Sequence, residues 1–366
     1  MILNNKAFRF WAFIALPILL IVVSDRALPG YYGRLTKLVG INVILAASLS
    51  LCNGFTGIFS MGHAGFMAIG AYASALITIP SAKKAVLLRN LPGGLQQIEM
   101  PLLPALLIGG LIAALVALAI GFPVLRFKGH YLSVATLGLI VIIRSVLQNN
   151  PDYTNGAKGL TGIAGLSDTF TIYGVMVVMM YILHRILHSA YGRSMIAIRD
   201  DIAAAESLGV GLARHRLLAF SVSAFMAAVA GGLWAHVQKV ISPSFFYYDR
   251  TFVIVETSII GGMYSLSGAV VGALIMTFVP EYLSSFESSI TLFGHPLYGA
   301  AQLMLSALMI VIIIFRRKGI MGYSDIIVDS WFDGSVYRSA VDPRAYRALG
   351  QAVVERFSGK RSGSRT

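Results

Sequence analysis

The sequence predicts an all-α, polytopic membrane helix bundle with about ten membrane segments, including discontinuous half-helices. Of its 366 residues 57% are apolar and 12% are charged, and the mean hydropathy is +0.75. Soluble domains carry about 25% charged residues, so this chain has about half the charge that a water-exposed surface needs. The apolar stretches lack the alternation of barrel strands, which leaves the helix as the structure that satisfies every backbone hydrogen bond in lipid.

Nine apolar runs follow one another along the chain, and none has the polar face of a soluble helix. The first run comes after Lys6 and Arg9, but no small-x-small cleavage site follows it. This pattern favours an uncleaved first span over a secretory signal. The runs cover 10–23, 38–52, 63–80, 102–122, 131–147, 171–187, 217–238, 252–280 and 298–315.

Basic residues near the ends of the runs predict the orientation, because Lys and Arg concentrate in cytoplasmic loops. Lys6 and Arg9 place the N-terminus inside, and alternate crossings then place the loop 188–216 inside. The last run ends at the basic residues 316–318, so the C-terminus is predicted to be cytoplasmic too. The loop 81–101 is an exception to the statistical rule, since it is predicted to be external and carries three basic residues. We expect a multi-pass protein of the bacterial inner membrane.

The run 252–280 must start and end outside, although its 29 residues are too few for two full spans. A glycine-rich break at 261–268 interrupts it. The sequence therefore predicts either two half-helices that meet near mid-membrane or a steep hairpin.

A short internal similarity links the two halves of the chain. Gly57 and Ser60 are spaced like Gly262 and Ser265, and each pair lies in a glycine-rich interruption of an apolar region. Paired interruptions in corresponding halves point to an inverted repeat around a central pathway. Chance identity of so few residues is the competing explanation.

Polar and glycine residues near these interruptions are candidates for the lining of a translocation route. Helix packing is the alternative for each glycine taken singly. His63 is predicted to serve packing or to start a cytoplasmic helix, because no second metal ligand stands at ligand spacing. The GxxxG from Gly268 to Gly272 is expected to pack closely within the chain or across a subunit interface. The candidates for the route are Asn53, Gly57, Ser60, Thr136, Gly262 and Ser265.

Arg144 and Glu256 are ionisable residues within or near apolar runs. Charge in hydrocarbon is costly, so such residues usually face a cavity or a partner. Both are predicted to lie towards the external side. They either form an intramembrane pair or snorkel to the headgroups.

The loop 188–216 contains a predicted short helix, with Asp200 and Asp201 at its start and Gly209 at its end. Its apolar residues are too sparse to form a core. A small, partly apolar helix on the cytoplasmic face suits docking in a groove of a partner protein. An ordinary connector is the alternative.

Several functional classes lack their sequence signatures. The chain has no P-loop, nucleophile elbow, zinc signature or dinucleotide fingerprint, so we expect no catalytic residues, metal or cofactor. Its net charge of +13 is explained by basic residues at span ends, and no aromatic residues interleave with them as on a nucleic-acid platform. Nucleic acid is therefore not an expected partner.

Four segments in order resemble one family, the permease subunits of bacterial ABC importers for branched-chain amino acids, whose relatives include urea and short-amide systems. They are the glycine-rich stretch 53–72, the segment 127–137, the loop 191–210 and the element 261–269. The resemblance covers about 38–315, and the segment 127–137 favours the M-type member of the two unlike permeases. Tyr264 stands where the family usually has Gly.

The resemblance implies a permease domain over 1–315, with a cytoplasmic coupling loop at 188–216 and a basic tail at 316–366. It also implies a second, H-type permease, two cytoplasmic ATP-binding subunits and a periplasmic substrate-binding protein as partners. The positions carried over to the coupling loop are Gly192, Arg193, Arg199, Asp200, Ala204, Glu206 and Gly209.

The predicted function is half of the translocation pathway for branched-chain amino acids, driven by ATP hydrolysis in a partner subunit. Urea, short amides or other amino acids are alternative substrates. A secondary transporter or channel is a rival class, which Glu256 disfavours because it stands nearly alone as an intramembrane acid. A purely structural scaffold would leave the glycine-broken segments unexplained.

Overall fold

A computed structural model describes residues 12, 30–88, 90–127, 129–287, 291–292, 295–296 and 299–339. The predicted first span at 10–23 and most of the predicted tail lie outside the described residues. The first half consists of α1 (Tyr31–Leu49, extended by π-helical turns at Ser50–Phe55), α2 (His63–Thr78), α3 (Ser81–Leu87), α4 (Gly93–Gln97), α5 (Leu102–Val124), α6 (His130–Gln148), α7 (Pro151–Thr154), a 3-10 turn (Gly156–Lys158), β1 (Leu160–Thr161) and α8 (Thr169–Leu187).

The second half begins with two short helices that lie within the predicted coupling loop. It consists of α9 (Ala190–Asp200), α10 (Ile202–Ser207), α11 (Leu212–Gln238), β2 (Val240–Ile241), a 3-10 turn (Pro243–Phe245), α12 (Tyr248–Gly261), α13 (Leu266–Glu287), β3 (Thr291–Leu292), β4 (His295–Pro296), α14 (Ala300–Phe315), α15 (Ile326–Phe332) and α16 (Gly334–Ser339).

The prediction of a polytopic all-α membrane bundle is confirmed. Within the described residues, six helices are long and apolar enough to cross a membrane, namely α1 with its extension, α5, α6, α8, α11 and α13. Each apolar run that falls in the described residues coincides with one of these helices or with α2, α12 or α14. Helices α2 and α3 meet at a bend of 117°.

Helix α11 forms the centre of the bundle and packs most extensively against α2 and α5. Within its most apolar window 78% of the residues are buried, against 33% for α6 and for α8, which therefore face outwards. The centre is tight because glycines let backbones touch: a Cβ at Gly70 would overlap the carbonyl of Ala228, and one at Gly231 would overlap that of Met67. Small residues allow this approach in membranes, where lipid competes with every apolar contact.

Helices α12 and α13 form a hairpin, which is the second of the two predicted arrangements for 252–280. Gly262 turns the chain with φ +118° and α13 begins at Leu266. The GxxxG packs within the chain, as one of its two alternatives predicted, because Cβ atoms at Gly268 and Gly272 would overlap the carbonyls of Gly262 and Thr257. Helix α14 covers the hairpin through an apolar cluster of Ile260, Met276 and Leu305.

Consecutive helices alternate between two ends of the bundle. We call the end that carries the segment 188–211 the connector end, and the other the opposite end. The loop 56–62 and the turn 262–265 lie at the connector end, where Gly54 approaches Met263. At the opposite end β1 pairs with β2, and the backbone of Ile163 donates to Lys239.

The opposite end also carries the basic loop that departs from the charge rule. Lys84 is buried there and donates to the carbonyls of Leu95 and Ile98. Burial lowers the pKa of Lys84, and the nearby Glu99 opposes that shift. This lysine is therefore a structural group of the loop rather than a charge at a headgroup.

The first nine residues of the predicted tail, 316–324, pack against the bundle. Residues 34–324 form one compact unit, and 316–324 belong to it because the backbone N–H groups of Ile320 and Met321 donate to the last carbonyls of α12, at Ile260 and Gly261. The described part of the second unit contains α15 and α16. Between them Asp333 accepts hydrogen bonds from the backbone and hydroxyl of Ser335.

Candidate functional site

The corner between α8 and α9 holds the first two predicted coupling residues. Ser189 caps α9 by accepting from the backbone N–H of Gly192. Gly192 is buried, and a Cβ there would overlap the carbonyls of Ile186 and Leu187. Arg193 donates to the carbonyl of His188 over 3.0 Å. The corner therefore fixes the direction in which α9 leaves the bundle.

Helix α10 projects from the connector end. Asp201 caps it by accepting from the backbone N–H of Ala204 over 3.0 Å, and Gly209 ends it with φ +80°. Ala205 is its one buried residue, whereas Ala204 and Glu206 are exposed and Leu208 is 83% exposed. The helix thus presents an apolar and acidic surface that the rest of the described chain does not cover.

Arg199, at the last turn of α9, joins this projecting element to the bundle. Its Nη1 donates to the carbonyl of Gly54 over 3.3 Å, and its guanidinium lies 5.4 Å from the ring centroid of Tyr264. Nη2 and Nε bind Asp200 at 2.7 and 2.8 Å. One side chain therefore contacts both glycine-rich interruptions, and Asp200 orients it.

The two interruptions also touch each other directly. A Cβ at Gly54 would overlap the carbonyl oxygen of Met263, so only glycine allows this contact. At Gly57 the chain turns with φ +71°, and a Cβ there would lie 3.2 Å from Cγ of Arg199. The aromatic ring of Tyr264 lies 5.2 Å from that of Tyr323.

A set of side-chain hydrogen bonds stabilises the loop 56–62. Asn53 forms two bonds with the backbone of Ser60, at 3.0 and 3.3 Å. From α6, Thr136 accepts from the backbone N–H of Met61 over 3.0 Å, and Ser133 donates to the carbonyl of Phe59 over 2.9 Å. The loop 56–62 is therefore bound by the end of α1 on one side and by α6 on the other.

The turn 262–265 is held in a similar way. The hydroxyl of Ser265 donates to the carbonyl of Ser324 over 2.6 Å and accepts from the backbone N–H of Gly268 over 3.0 Å. A Cβ at Gly262 would lie 3.1 Å from the carbonyl oxygen of Lys318. The segment 316–324 thus completes the turn.

The six candidates for the route therefore gather at the connector end. All except Gly57 are buried, and the side chains of Asn53, Ser60, Thr136 and Ser265 satisfy backbone groups of the interruptions. Their role in a translocation route stays a prediction. In the structure their side chains stabilise the glycine-rich interruptions that Arg199 contacts.

The internal similarity between Gly57–Ser60 and Gly262–Ser265 does not indicate an inverted repeat. An inverted pair would place the two segments at opposite ends of the bundle. Here both lie at the connector end, and each follows a helix that arrives from the opposite end and precedes one that returns to it. The two hairpins run in the same direction.

Arg144 and Glu256 do not form the suggested pair. In the part of the chain that the structure describes, no ion pair joins Arg144 to Glu256, whereas one joins Arg199 to Asp200. The guanidinium of Arg144 lies 4.3 Å from the ring centroid of Tyr247, just before α12 begins. Glu256 lies nine residues further along, about 13 Å deeper at the rise of an α-helix, which is too far for an ion pair.

His63 begins α2 at the connector end, which confirms the prediction of a helix start. It is buried, and its Nε2 shares a hydrogen bond of 2.6 Å with the hydroxyl of Ser223. That hydroxyl donates to the carbonyl of Ser48 over 2.7 Å. His63 thus links α1, α2 and α11.

A second polar cluster lies at the opposite end and was not predicted. The guanidinium of Arg250 lies 5.6 Å from the ring centroid of Trp234, which is 6% exposed. Phe246 packs edge-on against Trp234 and against Tyr72. Arg250 follows an aromatic stretch at the end of a loop, so in the sequence it reads as an ordinary interfacial charge.

The comparisons with known proteins agree with this architecture. The family model described as "Branched-chain amino acid transport system / permease component" matches residues 31–314. No solved structure matches the chain.

The similar proteins are permeases of import or transport systems. The chain is 29% identical over 321 residues to the high-affinity branched-chain amino acid transport system permease protein LivM of Escherichia coli K12, covering 78% of this chain and 69% of that protein. LivH of the same strain is 23% identical over 301 residues, covering 77% and 92%. The autoinducer 2 import system permease protein LsrC of Enterobacter sp. 638 is 29% identical over 205 residues, covering 48% and 57%. This chain is a multi-pass membrane protein that belongs to the family of branched-chain amino acid transport system permease components.

Proposed function

We propose that this permease forms one half of the translocation pathway of an ATP-driven importer for branched-chain amino acids in the bacterial inner membrane. In this arrangement the connector end faces the cytoplasm, as the basic loop 188–216 and residues 316–318 predict. The observation that carries the proposal is the projecting helix α10, which Arg199 joins to both glycine-rich interruptions.

Helix α10 docks in a groove of a cytoplasmic ATP-binding subunit. Ile202 and Leu208 supply exposed apolar surface, and Glu206 supplies an exposed charge beside them. A short helix with such a surface fits a groove, and burial of one large apolar side chain stabilises a complex by about 1.5–3 kcal/mol. A second copy of the ATP-binding subunit serves the second permease.

Movement of α10 reaches the spans through α9. Helix α9 rotates about the corner at Gly192, because close backbone packing prevents it from sliding there. Arg199 then transmits the displacement to Gly54 and to Tyr264, at the ends of the two hairpins. Such a path couples the ATP-binding subunits to the spans when the contact between Arg199 and the interruptions has two discrete arrangements, one for each state of the ATP-binding subunits.

The remaining partners follow from the names of the relatives and from the resemblance. LivM and LivH are two permeases of branched-chain amino acid systems in one organism, which supports an unlike, H-type permease beside this M-type chain. A periplasmic binding protein delivers the solute to the opposite end. The amino acid substrate is supported by the relatives' names, and urea or short amides are the second candidate by resemblance.

The test uses two matched substitutions at exposed apolar positions, Leu208→Asp on α10 and Val86→Asp on α3. Leu208 is 83% exposed and Val86 is 70% exposed, so neither substitution removes core packing. After mild-detergent purification of the complex, Leu208→Asp is expected to lower the co-eluting ATPase at least tenfold, the equivalent of about 1.4 kcal/mol. Val86→Asp, at the opposite end, is expected to leave co-elution unchanged.

Equal loss with both variants, or no loss with Leu208→Asp, contradicts docking through α10. Uptake of leucine into vesicles that contain this chain but no ATP-binding subunit would instead favour a secondary transporter or channel.

A further inference from the structure

Two nitrogens of the Arg250 guanidinium are buried at the opposite end of the bundle without an acceptor among the described residues, although the residue as a whole is half-buried. Its Nε and Nη2 are inaccessible to solvent, and neither forms a hydrogen bond. Its guanidinium forms a cation–π contact with Trp234, whose ring centroid lies 5.6 Å away. Shielded donors on a cation are costly unless an anion or another acceptor binds them.

Two more buried polar groups lack partners in the described part of the chain, one on α2 and one next to Arg250 in the sequence of α12. The hydroxyl of Tyr72 is shielded from solvent, and the residue is 5% exposed. Thr251 is fully buried, and its Oγ1 forms no hydrogen bond. Three unpartnered polar side chains thus come from two helices, α2 and α12.

Aromatic contacts link Arg250 to Tyr72 in one cluster, and Thr251 follows Arg250 in α12. Trp234 packs against Phe246 with ring centroids 5.4 Å apart, and Phe246 lies 6.3 Å from Tyr72. Trp234 belongs to the central helix α11, so Arg250 points into the bundle rather than to lipid headgroups. The cluster offers one cation and two hydroxyls beside an apolar wall.

This chemistry complements a carboxylate joined to an apolar group. Guanidinium binds carboxylate through two parallel N–H donors, and charge-assisted bonds are the strong ones in a site of low polarity. Hydroxyls can donate to the same carboxylate or accept from a neighbouring ammonium. The aromatic wall suits an aliphatic side chain.

We propose that Arg250, with Tyr72 and Thr251, forms an entry subsite that binds the carboxylate of the transported amino acid at the opposite end of the bundle. The inference rests on the proposed function and specifies the solute group that is recognised. A carboxylate from a side chain of the second permease has the same chemistry, and the experiment separates the two sources.

The first test measures modification of Arg250 by phenylglyoxal in the purified complete complex, with the modified peptide quantified by mass spectrometry. The probes are leucine, 3-methylbutanoate, which lacks the amine, and 3-methylbutylamine, which lacks the carboxylate. Leucine and 3-methylbutanoate are expected to slow modification of Arg250 at least fivefold, and the amine is expected to have no effect. The exposed Arg126 is the internal control.

Equal protection by all three probes, or by none, overturns the inference. So does an Arg250 that phenylglyoxal does not modify in the complete complex without ligand, because a guanidinium that a small solute cannot reach, or that a carboxylate of the second permease already binds, is not an entry subsite. These outcomes leave the proposed function standing, since that function depends on co-elution of the ATPase and its sensitivity to Leu208→Asp.

The second test measures leucine uptake by proteoliposomes that contain the complete complex and its binding protein. Arg250→Gln is expected to lower uptake at least tenfold, in keeping with loss of a charged hydrogen bond, while ATPase co-elution persists. Arg250→Lys is expected to retain part of the uptake, because lysine keeps the positive charge but lacks the two parallel N–H donors of the guanidinium. Arg126→Gln is the control and is expected to transport normally, because the guanidinium of Arg126 also lies beside an aromatic ring but the residue is exposed. Uptake unchanged in Arg250→Gln, or reduced equally in Arg126→Gln, overturns the subsite.

Discussion

The glycine-rich interruptions at the connector end and the cluster around Arg250 at the opposite end differ in how many of their buried polar groups have hydrogen-bond partners. At the connector end the side chains of Asn53, Thr136 and Ser265 satisfy backbone groups of the interruptions, and Arg199 has both an anion and a carbonyl as partners. At the opposite end Nε and Nη2 of Arg250 and the hydroxyls of Tyr72 and Thr251 have no partner within the described ranges. The connector end also has shielded atoms without a partner, Nδ1 of His63 and Nε of Arg216, but these lie outside the loop 56–62 and the turn 262–265.

The difference indicates two kinds of site. A polar network with its bonds satisfied holds one geometry and can transmit a displacement. Buried donors without a partner can still bind a ligand from outside the chain, and the aromatic rings beside them offer apolar contact to that ligand. The connector end is therefore suited to coupling and the opposite end to reception.

The largest expected effect comes from Gly54, where the two interruptions meet. A Cβ there would overlap the carbonyl oxygen of Met263, which belongs to the backbone and cannot move aside cheaply. Gly54→Ala should destabilise the permease by at least about 3 kcal/mol. Size-exclusion chromatography and thermal unfolding of the complex measure this.

The matched control is Gly138→Ala in α6. Gly138 has open space around it and an ordinary helical backbone, so alanine should be neutral or stabilise the helix by about 0.5–1 kcal/mol. Equal tolerance of both substitutions would show that the interruptions do not touch.

The next effect concerns Arg199 as the link between α9 and the interruptions. Arg199→Met keeps most of the packing but removes the bonds to Gly54 and Asp200. Uptake per ATP hydrolysed should fall about thirtyfold, equivalent to about 2 kcal/mol, while the ATPase still co-elutes through α10.

Arg193→Met is the comparison, because Arg193 binds a single carbonyl at the corner of α9 and touches neither interruption. It should change the ratio of uptake to ATP hydrolysis less than threefold. Similar uncoupling by both substitutions would show that the effect comes from the corner between α8 and α9 and not from the contacts of Arg199 with the interruptions.

The smallest effects come from two threonines, each fully buried in a helix, one at each end. Thr136→Val removes an acceptor from the backbone N–H of Met61, and should cost about 1–3 kcal/mol of unfolding free energy. Thr251→Val removes a hydroxyl that has no partner among the described residues, and should change stability by less than about 0.5 kcal/mol.

Thermal unfolding in detergent, run on both variants in parallel, gives the comparison. If Thr251 belongs to the entry subsite, its valine variant also lowers leucine uptake although its stability is unchanged. Equal destabilisation by both variants would remove the distinction between the two ends.

Much of the bundle was predictable from local pattern. The apolar runs became helices because lipid leaves the backbone no other hydrogen-bonding partner, and the break at 261–268 became a hairpin because glycine permits both its turn and its contacts. The helix ended by Gly209 was predictable for the same reason, since capping depends on residues a few positions apart.

Long-range contacts were not predictable in this way. The association of Arg144 with Tyr247 rather than with Glu256 depends on helix depth, and that of Arg199 with Gly54 joins residues far apart in sequence. Tyr264 departs from the glycine usual in the family, but no local signal indicates that its ring would lie beside Arg199.

By itself the sequence determined that this chain is a helical membrane protein with a connector suited to docking, because hydropathy, charge position and glycine spacing act over a few turns of helix. Only the tertiary structure decided that both glycine-rich interruptions share one end and meet at Arg199. It alone also left Arg250 shielded and unpartnered at the other end. The physical reason is that burial and hydrogen-bond satisfaction depend on which helices pack together, and similar apolar helices carry little information about their neighbours.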